Sequence, residues 1–87
     1  MRRKLEVFGY YVNVYTYTPG TRFTPHTHAV DKIDGILSGR LQVRMSGREV
    51  VLEAGDLLWV PRGTIHSAEV VGRDPVISID GVRRRGA

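Results

Sequence analysis

Valine, isoleucine, tyrosine and threonine recur at every second position along most of this chain, and glycine or proline interrupts them at intervals of roughly 8–12 residues. Nothing sustains a period of 3.6. Side chains two apart on a strand share a face, so this pattern specifies half-buried strands and few helices. The expected strands are Leu5–Phe8, Tyr10–Thr18, Thr24–His28, Lys32–Ser38, Leu41–Ser46, a return through Val50 and Leu52, Asp56–Val60, His66–Val71 and Val76–Val82. Ser46-Gly47 reads as a tight hairpin turn. About eight or nine short strands in so small a chain indicate a sandwich or barrel, which leaves few open edges.

The alternation also assigns faces. In Tyr10–Thr18, Val12, Val14 and Thr16 make the expected core face. Tyr11, Asn13, Tyr15 and Tyr17 make the opposite one, read as an edge or dimer surface, with a ligand-contacting wall as the sharper alternative. Trp59 reads as packing and Arg22 as a solvated loop residue. Asp80 alternates with Ile77 and Ile79, so it is expected to face outward.

With 87 residues the chain is expected to form one domain, residues 1–87, with a small core. Such domains often gain stability from a metal or a second subunit, and a homodimer is the expected assembly. The absence of cysteine excludes disulfides and thiolate ligands and makes a cytoplasmic location the default. No apolar run reaches the roughly 18 residues of a membrane span, and no membrane partner is expected. Net charge is +4, with basic clusters at Arg2, Arg3 and Lys4 and at Arg83, Arg84 and Arg85. These read as solvated termini; without a recognisable binding motif, no nucleic-acid partner is expected.

The chain has three histidines. His26 and His28 are two apart, so on a strand both imidazoles reach one side. His66 follows the turn Pro61-Arg62-Gly63 and opens a later strand that a hairpin-rich barrel can bring beside the pair. Imidazole ligation suits zinc, iron, nickel and copper.

These positions carry a resemblance. Gly20, five residues, His26, Thr27, His28 and a closing Gly39 form one spaced motif. Gly55, five residues, Pro61, Arg62, Gly63, two residues and His66 form a second. The chain resembles the cupins, which implies a jelly-roll β-barrel with His26, His28 and His66 as ligands of a divalent transition metal: iron, manganese, zinc, nickel or copper. Val70 stands at the asparagine of the second motif, a variable position. Lys32 stands where the family has a glutamate ligand. An ammonium has no lone pair and cannot coordinate. At roughly 4 Å and an effective dielectric near 20, it repels each unit of metal charge by about 4 kcal/mol.

Three arrangements answer this. Lys32 pairs with Asp34 on the same strand face, and the metal rests on three histidines. Alternatively Asp31 or Asp34 replaces the glutamate. In the third, the histidines and Lys32 form a metal-free pocket for an anion. Lys32 is the candidate catalytic residue, by orienting an anionic substrate or acting as a base, and Lys32 with Asp34 is the candidate substrate-binding pair. A three-histidine site is similar to that of cysteine and diketone dioxygenases. The resemblance therefore implies either an enzyme acting on a small polar organic molecule, dioxygenase- or isomerase-like, or a non-catalytic cupin that binds or senses a sugar or organic acid.

Overall fold

The computed structural model describes residues 9–83. They form eight strands: β1 Tyr10–Tyr17, β2 Arg22–His26, β3 Lys32–Ser38, β4 Arg40–Met45, β5 Arg48–Leu52, β6 Leu57–Val60, β7 His66–Val71 and β8 Val76–Arg83. The expected Leu5–Phe8 strand lies outside the described residues. Two four-stranded sheets, in the orders β1-β8-β3-β6 and β2-β7-β4-β5, pair antiparallel throughout and face each other. This is the jelly roll that the strand pattern and the resemblance led us to expect. There is no helix among the described residues, and so none long and apolar enough to cross a membrane.

Short-range chemistry explains the turns. Ser46 and Gly47 both have positive φ, 55° and 74°, as a two-residue hairpin turn that follows the strand twist requires. Gly39, between β3 and β4, has φ of +81°, and a Cβ there would lie 2.3 Å from the Pro75 carbonyl oxygen. Only glycine lets the chain cross there.

The core lies between the inner faces. Ile36 and Val76 from the first sheet meet Leu41, Val43, Leu52 and Val70 from the second, with Tyr17, Met45, Leu58 and Ala68 packed against them. This apolar group fills one end of the interior. The other end holds the polar side chains of the site.

Three face assignments differ from the sequence reading. On β1 the tyrosine parity faces inward: Asn13 pairs with Asp80, Tyr15 with Ser78 and Tyr17 with Val76, and directly opposed residues share a face. Val12 and Val14 belong to the outer face, where Val14 is 44% exposed. Asp80 points inward. Ile79, its neighbour, is buried but lies on the outer face, at the centre of the sheet between Val14 and Gly35. Burial of the isoleucine therefore did not mark the inner parity. Trp59 is 59% exposed and pairs with Ile33 on that same outer face, so it packs into no core.

Candidate metal centre

A bulge brings the histidines together. On β2, Phe23 pairs with Ala68 and His26 with His66, so three steps on β2 match two on β7. The extra residue falls at Thr24-Pro25, and a β-bulge of this kind re-aims the side chain that follows it. In a regular strand Phe23 and His26 would point to opposite faces. Here both line the interior cavity. His28 lies just past the end of β2, two residues on, where the sequence reading had continued the strand.

The three rings meet edge to face or tilted, with centroids 4.8 Å apart for His26–His28, 4.3 Å for His26–His66 and 5.1 Å for His28–His66. Their ligand nitrogens all lie within 4.8 Å of one another, and the group could hold a metal ion. Two rings are oriented from behind. His26 Nδ1 lies 2.6 Å from the Thr24 carbonyl oxygen, and His66 Nδ1 lies 3.0 Å from that of Thr64. A carbonyl only accepts, so each Nδ1 carries the proton and donates. In the neutral ring Nε2 then keeps its lone pair. Backbone carbonyls behind metal-binding histidines act in this way. His28 is held below the ordinary imidazole pKa, first by burial, then by Lys32 and by the other two histidines, with Asp80 opposing. Its neutral form, the ligating one, is favoured.

Lys32 points inward, as its parity predicts, but its ion-pair partner is Asp80. Lys32 Nζ lies 2.7 Å from Asp80 Oδ1, and the two side chains are 13% and 17% exposed. That oxygen makes no aligned hydrogen bond, so the contact is ionic. Asp34 faces Asp80 across the β3–β8 ladder. Burial above all, and then a hydrogen bond with Asp80, push the Asp34 carboxyl up to about 7, against the pull of Lys32. Asp31, between β2 and β3, accepts a 2.8 Å hydrogen bond from the Arg62 backbone N–H and is so tied to the turn before β7. No carboxylate joins the three histidines in the described metal-competent group.

The cavity has a volume of about 180 Å³, and Lys32, Asp34, Asp80, Ser78, Tyr17 and Phe23 line it with the histidines. Phe23 meets Tyr17 edge-on at 4.8 Å, and Tyr15 stacks on Tyr17. Burial, and secondarily Asp80, hold the Tyr17 hydroxyl above its ordinary pKa, so it stays protonated. Phe23, Ser78 and Asp80 were missed as site residues, and Tyr17 was reached only through the alternative reading of its strand face as a ligand-contacting wall. The available signal was the polar parity of β1 and β8, which in a barrel with an internal cavity faces in. Arg22 stands apart on the outer face of the second sheet, 3.3 Å from Glu69, an exposed pair worth little.

Fold and site together define a cupin, and the chain belongs to the cupin domain family, whose model matches residues 13–81. It is 40% identical over 63 residues to the bifunctional lysine-specific demethylase and histidyl-hydroxylase NO66 of Branchiostoma floridae, covering 68% of this chain and 10% of that protein. It is 41% identical over 58 residues to the tetracenomycin polyketide synthase protein TcmJ of Streptomyces glaucescens, covering 66% and 39%. The chain thus spans well under half the length of these curated relatives. Among solved structures, KdgF from Halomonas sp. superposes with a TM-score of 0.76 at 25% identity over 90% of this chain and 72% of that one.

Proposed function

We propose that this cupin binds a divalent transition metal (iron, manganese, zinc, nickel or copper) through His26, His28 and His66, and acts as an enzyme on a small polar organic molecule held in the adjoining cavity. One observation carries the reading: three imidazoles converge, and carbonyls behind two of them leave Nε2 free to ligate. An ion bound there would supply Lewis-acid polarisation of an oxygen on the bound molecule. Lys32 and Asp34 line the same cavity and would contact and orient that molecule.

Asp80 supports this reading over a metal-free anion pocket. The repulsion expected between Lys32 and a metal is offset by a carboxylate 2.7 Å from the ammonium. The same pairing leaves Lys32 less charge to offer a free anion. The neighbours include proteins whose names describe enzymes, among them NO66.

The test is metal content after loading the purified protein with each ion and removing excess. Stoichiometric metal is expected in the wild type, and its loss in His66→Ala and in His28→Gln. No bound metal at neutral pH would sink the proposal and leave a small-ligand binding or sensing cupin.

A further inference from the structure

Beneath the histidines, two strands bring three ionisable side chains to one patch of the inner face. Lys32 and Asp34 stand on β3, and Asp80 on β8 directly opposite Asp34. Lys32 contacts Asp80, and Asp34 and Asp80, directly opposed on one face, both line the cavity. An ionised carboxylate has no donor, so two carboxyl groups that meet there do so by holding a proton between them. Charge counting agrees. One ammonium balances one carboxylate, and two carboxylates side by side in a site poor in water do not both ionise at ordinary pH.

We infer that Asp34 and Asp80 share one proton inside the cavity and are the group that gives it to, or takes it from, a molecule held there. This rests on the reading of the cavity as the binding site. The upward shift of Asp34 to about 7 agrees with the geometry. The ionisable groups facing the pair are Lys32 on β3, Tyr17 on β1, and the three histidines across the cavity. Lys32 is a positioning residue: it holds Asp80 and stabilises the ionised pair.

The step balances within the cavity. The Oδ–H bond of Asp34 breaks as an O–H or C–H bond forms on the bound molecule, and the pair gains one negative charge, which Lys32 moderates. A proton lost from another position of the same molecule restores the pair. The net change is an isomerisation that needs no oxidant, so the pair favours proton-transfer chemistry over dioxygen chemistry.

The experiment is a carboxyl NMR titration of the full chain, carboxyl-¹³C-labelled at aspartate and freed of metal with chelator, with the amide spectrum followed as a record of the fold. In the folded wild type, the Asp34 carboxyl is expected to titrate near neutrality. Lys32→Met should move that midpoint upward, and Asp80→Asn should move it down toward the ordinary carboxylate range. Titration of both carboxyls below about pH 5, or loss of the Asp34 proton only as the amide spectrum collapses, overturns the inference. If Asp80→Asn does not fold, the wild type and Lys32→Met decide. No metal is present, so this result and the metal-loading result fail independently.

Discussion

Lys32 occupies a position where its charge opposes the proposed ion and its partner makes it tolerable. Removing it therefore has two separable effects. Lys32→Met leaves Asp80 buried without its cation, and breaking such a pair costs about 3 kcal/mol. Urea denaturation of the metal-free protein measures this. Lys32→Glu adds a third carboxyl group to the Asp34–Asp80 patch. It is expected to be less stable than wild type without metal and to recover on adding metal, because a ligand that binds only the folded state stabilises it by mass action. The inward direction of Lys32 was legible, because period two carries the inner face through Lys32, Asp34 and Ile36. Its partner was not. Asp80 lies far along the chain, and only the β3–β8 register places it opposite Asp34.

At the scale of strands and turns, two glycines separate conformational strain from steric exclusion. Gly20 and Gly39 both have φ of +81°, but nothing lies within 4 Å of a Cβ at Gly20, whereas one at Gly39 would collide with the Pro75 carbonyl. Gly20→Ala is expected to cost about 1 kcal/mol, the left-handed penalty alone. Gly39→Ala is expected to cost at least about 2 kcal/mol more, since its neighbour is backbone and cannot rotate away. Thermal or urea unfolding of the two variants gives the difference. Strand existence and the Ser46-Gly47 turn were readable from alternation and turn chemistry. The Thr24-Pro25 bulge was not, because no local pattern marks an extra residue whose presence is defined by a partner strand. The orientation of the tyrosine strand was lost for a related reason. Alternation identifies two faces, and pairing decides which is inside.

Over the whole molecule, the outer face of the β1-β8-β3-β6 sheet is a broad apolar surface. Val12, Val14, Thr16, Ile77, Ile79, Ile33, Leu57 and Trp59 share it, and Arg83, at the end of β8, is the one charged position of that parity among the described residues. We propose that a second copy of the chain covers it. In a chain of net charge +4, a face that is apolar over most of its extent is where two copies meet with least repulsion. Sedimentation should show a dimer that Trp59→Glu with Leu57→Glu converts to monomer; a monomeric wild type would refute the proposal. Stability should also respond to pH. Folding pushes the Asp34 carboxyl from its ordinary 3.8 up to about 7. Between those values the folded chain binds more protons, so this group's contribution falls as pH rises from about 4 to about 7 and is constant above. His28, depressed below 6.5, acts in the opposite sense, its cost growing as pH falls. The Asp34 share is therefore read as the difference between wild type and Asp34→Asn in denaturation midpoints across that range.

Two backbone donors at the turn before β7 reach across to the segment that follows β2. Gly63 N–H donates to the His28 carbonyl at 2.9 Å, and Arg62 N–H to Asp31 at 2.8 Å. They bind together ligand-bearing segments that are remote in sequence. This has a consequence in time. The triad exists only once β2 has paired with β7, a strand remote in sequence within the same sheet, so the proposed ion would arrive after that pairing and would not nucleate folding. Once these bonds have formed, departure of the proposed ion would require a local opening, and its exchange would be paced by the frequency of that opening.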